Sequence, residues 1–268
     1  MSEINKINKR KIVFFNKNGF LIIKNILKKK DLNLIKKRLN FLEKKQKKTN
    51  IGLSEPGVKK SLIHSLDKDR VFNQIILKNK IFNKISKKLI NCESIYCWYA
   101  KSNLKKKWHG SAEYYHQDYS YDKDLNIPNY VLRSRMIHCM IFVDNHSHFN
   151  GGMKIFAGSH KKIYKHKPFL NINSLQKYLI PSDELDKISK RHKLVSINEK
   201  SGSCMFFSNL TVHGSSHNIS SVDRKVLLYG ITCRKYINNF ITHKVKKFNK
   251  KSRSSFEKIE LKKRIQTL

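Results

Sequence analysis

The chain has 268 residues, of which 39% are apolar, enough to bury the core of one β-domain with peripheral helices. It carries 57 Lys and Arg against 19 Asp and Glu, a formal net charge of +38 at pH 7. It contains no run of 18 apolar residues, so no membrane insertion is expected. The basic start MSEINKINKRKIVFF lacks the apolar centre of a signal peptide, which predicts a cytoplasmic location.

The basic charge raises the question of nucleic acid, and the kind of basic residue argues against it. Only ten of the 57 basic residues are Arg, the residue whose planar fork reads phosphates and bases. Lys is abundant in nearly every segment together with Asn and Ile, which indicates a compositional bias of the surface. We therefore expect no nucleic-acid partner, although a basic nucleic-acid-binding protein stays open as an alternative.

Cysteine usage indicates neither a disulfide framework nor a structural zinc site, because the number is odd and no CxxC pair occurs. We expect these thiols to be reduced and mostly buried. The five are Cys92, Cys97, Cys139, Cys204 and Cys233.

The first third of the chain is predicted to be mainly helical. Residues 12–27 begin with a short apolar segment and continue with an Asn-Gly turn and a strand. Helical spacing of apolar residues predicts one helix over 32–45 and a second around 69–90, separated by a Gly/Pro break at 52–57. These helices are expected to be packing elements.

From residue 94 onward the sequence changes to β-branched and aromatic runs separated by Gly or Asn turns. Several such runs predict an antiparallel barrel or sandwich. The runs occupy 94–102, 134–144, 151–160, 202–216 and 225–236.

These patterns predict a single domain across 1–268, with a helical N-terminal part at 1–93 and a barrel core at 94–236. A polar, partly helical insertion at 161–200 fits either an active-site lid or a surface excursion. Residues 237–268 are predicted to form a basic C-terminal helix or tail. Nothing in the sequence indicates an oligomeric state.

The stretch YYHQDYSYD contains two candidate metal ligands, His116 and Asp118. Alternate residues of a strand face the same side, so the two could bind one ion together. His213, which ends the apolar run CMFFSNLTV and precedes a Gly, is the favoured third ligand. Two His and one carboxylate leave three coordination positions open, the arrangement of non-haem iron(II) oxygenases. The alternatives are a polar pair on a strand surface and a satisfied core histidine.

Arg224 lies eleven residues after His213, at the start of the next predicted strand. Its guanidinium could point into the barrel and hold a distant carboxylate by two charge-assisted hydrogen bonds. The alternative is a structural ion pair with Asp223 or Asp144.

Three motifs in order resemble the phytanoyl-CoA dioxygenase family of iron(II)/2-oxoglutarate oxygenases, with spacing most similar to its ectoine hydroxylase-like members. They are HQD at 116–118, NGGMKIFAGSH at 150–160 and HGSSHNISSVDR at 213–224, and the resemblance spans about 95–236. It implies a mainly β fold with flanking helices, a double-stranded β-helix of the jelly-roll, cupin-like type.

The resemblance also implies a role for each matching residue. His116, Asp118 and His213 would bind Fe(II). Arg224 would anchor the far carboxylate of the cosubstrate 2-oxoglutarate, and Ser215 would donate a hydroxyl beside it.

Two further positions on the preceding strand are implied in cosubstrate binding, Lys101, fifteen residues before His116, and Asn103. The sequence departs from the ectoine type nearby, with Tyr99 in place of a glutamine and Glu113 in place of an aromatic residue. These departures concern the substrate more than the chemistry.

The implied activity is hydroxylation of an unactivated C–H bond of a small organic molecule or acyl thioester, using Fe(II), 2-oxoglutarate and O₂ and releasing succinate and CO₂. Asp118 favours this outcome, because related halogenases carry a small residue there. Two alternatives stay open: a cupin-like metal protein that does not use 2-oxoglutarate, and a basic nucleic-acid-binding protein with a vestigial metal motif.

Overall fold

The structure is a computed structural model, and the residues it describes form four stretches. The predicted Gly/Pro break at 52–57 and the predicted tail at 237–268 lie outside them. The described residues are 9–45, 62–122, 135–171 and 176–236.

The larger of two facing sheets has six strands, each antiparallel to its neighbours, in the order β1-β10-β5-β12-β3-β2. Strands are numbered in chain order. Those of the larger sheet are β1 (Phe20–Ile23), β2 (Leu62–His64), β3 (Ile95–Lys105), β5 (Met136–Phe142), β10 (Cys204–Ser208) and β12 (Arg224–Cys233).

The smaller sheet has four strands in the order β4-β11-β6-β9, and a separate hairpin of β7 and β8 lies beside β4. The two sheets enclose one apolar cluster, as in a jelly roll. The strands are β4 (Glu113–His116), β6 (Met153–Phe156), β9 (Leu194–Ser196) and β11 (His213–Ser215), with β7 (Lys167–Asn171) and β8 (Gln176–Leu179) in the hairpin.

Helices from the first third of the chain cover the outer face of the larger sheet. Within the described stretches, every helix is too short or too polar to cross a lipid bilayer. The helices are α1 (Lys9–Asn18), α2 (Lys29–Lys45), α3 (Arg70–Phe72) with the π-helical turn Asn73–Leu77, α4 (Lys80–Ile90), α5 (Tyr119–Asp122) and α6 (Ser182–Arg191).

Strand β5 is buried on both faces, and its side chains point alternately into the two apolar clusters of the molecule. Cys139 and Ile141 pack among the helices. Met140 and Phe142 point the other way, into the cluster between the sheets. His138 faces the same interior and contacts Phe207 at a ring distance of 5.4 Å.

One helix was not predicted, and one predicted helix needs correction. The apolar segment before the Asn-Gly turn is helix α1, which ends where Gly19 takes a positive φ of 80°. The helix predicted around 69–90 is interrupted before α4, because Asn79 caps α4 by accepting hydrogen bonds from the backbone N–H groups of Ile81 and Phe82.

The run at 202–216 is two strands and not one. β10 ends at Ser208 in the larger sheet, and β11 begins at His213 in the smaller sheet. The link between them is fixed by the Thr211 hydroxyl, which donates to the carbonyl of Gly19 at 2.8 Å. The crossing moves His213 from one sheet to the other.

The prediction of reduced cysteines is wrong for one pair. Cys92, after α4, and Cys233, at the end of β12, form a disulfide that links residues 141 positions apart. Cys139 and Cys204 are buried thiols and Cys97 is a half-buried thiol, and none of these three is in a disulfide.

The insertion at 161–200 is partly built into the barrel. Its strand β9 pairs with β6 at the edge of the smaller sheet. Ile180 and Ile188 are buried against Phe156 and Val212. The second half of the insertion is therefore a packed layer, and its role as a lid stays a prediction.

Candidate metal and cosubstrate site

His116, Asp118 and His213 come together on the smaller sheet, each offering one ligand atom, and these atoms lie within 4.8 Å of one another. Nε2 of His116 is 3.6 Å from Oδ1 of Asp118, and Nε2 of His213 is 3.8 Å from Oδ2 of Asp118. The two imidazole rings are 4.4 Å apart. Both histidines are buried, while the Asp118 side chain keeps 22% of its surface exposed.

Strand pairing brings the two histidines together, because His213 on β11 lies directly opposite His116 on β4. Asp118 reaches the site differently from the sequence argument, since β4 ends at His116 and Asp118 lies in the following turn. Gln117 fixes that turn: its amide group donates to the carbonyls of Lys162 and Leu210.

The hydrogen bonds of the two histidines leave one ring nitrogen of each for a metal. Nδ1 of His116 lies 2.8 Å from the carbonyl oxygen of Tyr114, and Nδ1 of His213 lies 2.9 Å from that of Thr211. A carbonyl can only accept, so both Nδ1 atoms carry the proton and both Nε2 atoms face the site. The Gln176 amide donates to the same Tyr114 carbonyl at 2.8 Å.

The charges of the site favour an ionised carboxylate. Burial alone would raise the pKa of Asp118, but the imidazoles of His138, His213 and His116 outweigh it and hold that pKa well below its usual range. Burial, assisted by His116, lowers the pKa of His213 to about 4. Burial also lowers the pKa of His116, but Asp118 outweighs it and the net shift is upward.

The donor set fits ferrous iron. Two neutral imidazole nitrogens and one carboxylate are the ligands of the facial arrangement, and their hydrogen-bonded Nδ1 groups provide the orientation that such ligands need. The same three residues on one side of an ion leave the other side open for a chelating cosubstrate and O₂.

Arg224 is the candidate for the opposite end of a cosubstrate site. It is 2% exposed, its Nε has no hydrogen-bond partner, and none of the described carboxylates forms an ion pair with it. Burial lowers the pKa of Arg224 to about 10, with Glu113 and Asp144 partly offsetting it, so the guanidinium is charged at neutral pH. The structure therefore does not favour the structural ion pair considered from the sequence, because Asp223 bonds to Lys106 and Asp144 to Lys36.

Ser215 is oriented by Lys105, the residue opposite Arg224 in the β3–β12 pairing. Lys105 Nζ donates to Ser215 Oγ at 2.8 Å and to the Ser216 carbonyl at 2.6 Å. Since Ser215 Oγ accepts this bond, its own proton is available for a carboxylate. Gly151 takes a positive φ of 79°, and a Cβ there would lie 2.7 Å from the Lys105 side chain, so the glycine leaves room for it.

Lys101 and Asn103 lie on β3, on the same face as Lys105. Lys101 Nζ is 5.6 Å from the centre of the Tyr99 ring. Asn103 is buried and its Oδ1 has no hydrogen-bond partner. Both side chains therefore belong to the interior face of the larger sheet, and their part in cosubstrate binding stays a prediction.

The sequence profile of the family described as phytanoyl-CoA dioxygenase matches residues 15–226. The chain belongs to the phytanoyl-CoA dioxygenase family. This match confirms the resemblance found in the three motifs and extends it to the N-terminal helices and strand β1.

Known relatives of this family member are distant in sequence and similar in fold. An ectoine dioxygenase of Stutzerimonas stutzeri is 24% identical over 80% of this chain and 73% of its own length. Crystal structures of EctD from S. alaskensis, with 2-oxoglutarate and 5-hydroxyectoine, and of the carbocyclase SnoK from nogalamycin biosynthesis superpose with TM-scores of 0.70 and 0.66. EctD is 16% identical to this chain, and the match covers 88% of this chain and 79% of EctD. SnoK is 13% identical, and the match covers 87% of this chain and 86% of SnoK. The predicted double-stranded β-helix is confirmed.

Family membership together with the His-Asp-His cluster identifies a dioxygenase whose cofactors are iron, 2-oxoglutarate and O₂. The predictions of an enzyme and of these cofactors are confirmed. The phytanoyl-CoA dioxygenase fold thus places a metal site on the smaller sheet and a buried cation, Arg224, on the larger one.

Three residues of the site were missed by the sequence argument. Lys105 sits among many lysines, so nothing in the sequence distinguished it. His146 accepts a hydrogen bond from the Met153 N–H, and its Nδ1 is buried without a partner. Burial lowers the pKa of His146, and the cations Arg224 and Lys105 lower it further. Of the three, only His138 could have been noticed in the sequence, because it is a histidine in the otherwise apolar strand MIHCMIF.

Proposed function

We propose that the protein hydroxylates an unactivated C–H bond of a small organic molecule or acyl thioester and converts 2-oxoglutarate to succinate and CO₂. The observation that carries this proposal is the convergence of His116, Asp118 and His213 on the sheet opposite a buried, unpaired Arg224. Asp118 is retained at the position where halogenases carry a small residue, which favours hydroxylation.

In this proposal His116, Asp118 and His213 hold the iron, which when bound supplies the activation of O₂. The chain's own contribution is placement. The carbonyls of Tyr114 and Thr211 fix both imidazole rings, and burial keeps bulk water from the reacting bond.

Arg224 is assigned to the far carboxylate of 2-oxoglutarate. Leaving Nε of a buried guanidinium without a partner is costly, and a carboxylate would satisfy it with paired hydrogen bonds. Ser215 would donate its hydroxyl to the same group, held in place by Lys105. Lys101 and Asn103 are proposed to line the remaining part of the pocket.

The substrate is proposed at the level of chemical class. The relatives include an ectoine dioxygenase and a nogalamycin carbocyclase, so similar folds accept unlike molecules. Tyr99, at the position of a glutamine in ectoine-type hydroxylases, bonds to His138. This contact supports a substrate other than ectoine.

The cytoplasmic location stays a prediction. The Cys92–Cys233 disulfide is the observation to weigh against it, because disulfides persist in oxidising compartments and are rare in the cytosol.

The decisive experiment is an anaerobic titration of metal-free protein with Fe(II) and then 2-oxoglutarate, followed by the metal-to-ligand charge-transfer band. We expect the wild type to develop the band, and Arg224→Met to require at least about 30-fold more 2-oxoglutarate, because a buried cation that pairs with the ligand is lost. Arg191→Met, at an exposed position on α6, is the matched control and should behave as wild type.

Two results would contradict the proposal in different ways. Absence of the band in wild type at saturating iron would refute the cosubstrate site. A normal band with unchanged 2-oxoglutarate affinity in Arg224→Met would refute the assignment of Arg224 to the far carboxylate, whereas iron binding without any band would favour the cupin-like alternative. Hydroxylation itself is tested with ¹⁸O₂, which should deliver one oxygen atom to succinate and one to the substrate.

A further inference from the structure

A second contact chain reaches the metal site from the larger sheet, through Tyr99 and His138. The Tyr99 hydroxyl lies 2.6 Å from Nδ1 of His138. Nε2 of the same ring lies 3.5 Å from Oδ2 of Asp118. His138 is 2% exposed and its Nε2 has no hydrogen-bond partner. A buried, unpartnered ring nitrogen is therefore directed at the carboxylate that would bind iron.

The neighbours of His138 select one tautomer of a neutral ring. If Nε2 carries the proton, Nδ1 accepts from Tyr99 and an N–H dipole points at the Asp118 carboxylate. If Nδ1 carries it, a nitrogen lone pair faces a carboxylate oxygen at 3.5 Å, which is repulsive. At that distance the favourable contact is electrostatic and is not yet a hydrogen bond of good geometry.

The position of Tyr99 depends on an irregularity in strand pairing. β12 pairs Gly230 with Tyr99 and the next residue, Ile231, with Cys97, so Trp98 is an extra residue on β3. A Cβ at Gly230 would lie 2.4 Å from Tyr99 Cε1 and 2.5 Å from Trp98 Nε1. Only glycine at 230 leaves space for both rings, which meet edge to face at 4.5 Å.

Aromatic packing fixes the imidazole of His138 as well. Phe207 lies 5.4 Å from the His138 ring and 5.1 Å from the ring of the ligand His213. Since cores are close-packed, His138 has little freedom to turn away from Asp118.

We infer that Tyr99 and His138 are positioning residues that hold the Asp118 carboxylate, with His138 engaging Oδ2 and leaving the other oxygen to the metal. The inference rests on the proposed function, because it takes Asp118 as an iron ligand. It assigns a role to Tyr99, which stands in place of a Gln of ectoine-type hydroxylases, and to His138, a histidine within an apolar strand.

The first test reads the tautomer in metal-free protein, from the ¹⁵N shifts of the His138 ring and their long-range proton correlations. We expect the Nε2–H form in wild type, and a mixture of the two forms in Tyr99→Phe, which loses the hydroxyl donor. An Nδ1–H ring in wild type would overturn the inference.

The second test measures Mn(II) affinity without cosubstrate. His138→Leu should bind Mn(II) about 10- to 100-fold more weakly, the usual effect of losing a group that orients a metal ligand. His138→Gln, whose amide can donate toward Asp118, should recover part of that loss. Tyr99→Phe should weaken Mn(II) binding less than His138→Leu, because it removes only the hydroxyl that orients the His138 ring. Gly230→Ala should have a similar effect, because the added Cβ displaces the Tyr99 ring.

The controls are substitutions of the same kinds away from the metal ligands. Tyr236 packs against the helix-facing cluster, and His109 is exposed. Tyr236→Phe and His109→Leu should leave Mn(II) affinity unchanged.

The failures are distinguishable. Wild-type protein that binds no Mn(II) would refute the proposed metal site. Wild-type protein that binds Mn(II), with His138→Leu and Tyr99→Phe binding equally well, would overturn the positioning role and leave the proposed function intact. Should His138→Leu fail to fold, the tautomer measurement and Tyr99→Phe decide the question.

Discussion

The two faces of the six-stranded sheet consist of the same strands but have different roles: one packs against the helices, and the other carries polar residues of the candidate site. The face toward the helices is apolar on each of its central strands, for example at Ile141, Phe206 and Leu227. The face toward the smaller sheet is apolar on β10 but carries His138 on β5 and the buried cation Arg224 on β12. Burial of apolar area stabilises the fold, whereas burial of unpaired polar groups costs free energy.

The two faces differ in the buried polar atoms that a ligand could pair with. On the interior side, Arg224 Nε, His138 Nε2 and Asn103 Oδ1 are buried without a hydrogen-bond partner. A ligand or a metal-bound carboxylate that paired with these atoms would remove the free-energy cost of burying them. The helix-facing side also buries such an atom, the Tyr229 hydroxyl, but there it is surrounded by apolar side chains.

The largest effect on metal binding is expected for a substitution at the centre of the interior side. His213→Ala removes one of three ligands, and we expect loss of measurable Fe(II) binding, a larger effect than the 10- to 100-fold typical of supporting residues. Equilibrium dialysis with Fe(II) under anaerobic conditions measures it. His109→Ala, at an exposed histidine, should bind iron normally; equal binding by both variants would contradict the assigned ligand set.

A pair of adjacent phenylalanines compares the two faces directly. Phe206 packs on Phe82 of α4 at 5.7 Å, and Phe207 packs on the His213 ring at 5.1 Å. Both are buried, so Phe206→Leu and Phe207→Leu should each lower the free energy of unfolding by roughly 1 to 3 kcal/mol.

Metal affinity separates these two variants. Only Phe207→Leu should weaken Mn(II) binding, because only that ring supports a proposed ligand. Urea unfolding and Mn(II) titration of the same samples provide both values. A loss of affinity in Phe206→Leu as large as in Phe207→Leu would show that the two faces are not independent.

The smallest effect is expected at the rim of the helix-facing side. Lys36 on α2 pairs with Asp144 at 3.0 Å, with 41% and 25% of the side chains exposed. Lys36→Gln should change the free energy of unfolding by no more than about 1 kcal/mol, since water screens such pairs. Thermal unfolding at low and high salt checks this, and a loss of several kcal/mol would show that surface charge matters more here than packing.

Sequence reasoning succeeded where chemistry is local. The β-branched and aromatic runs predicted an antiparallel barrel or sandwich, because residue type is direct evidence of strands. The three motifs, through the family they resemble, implied the jelly roll and the His-Asp-His cluster. Sequence reasoning failed at the link between β10 and β11, where a continuous apolar run crosses between sheets. It also missed the Cys92–Cys233 bond, whose partners lie 141 residues apart.

The sequence by itself determined which residues could bind a metal and which strands could be buried, since both depend on side-chain chemistry and periodicity. Only the tertiary structure decided that His213 lies opposite His116, that Lys105 and not another lysine orients Ser215, and that His138 faces Asp118. These pairings join residues far apart in the chain. Their partners are set by sheet register and packing, and no local pattern records them.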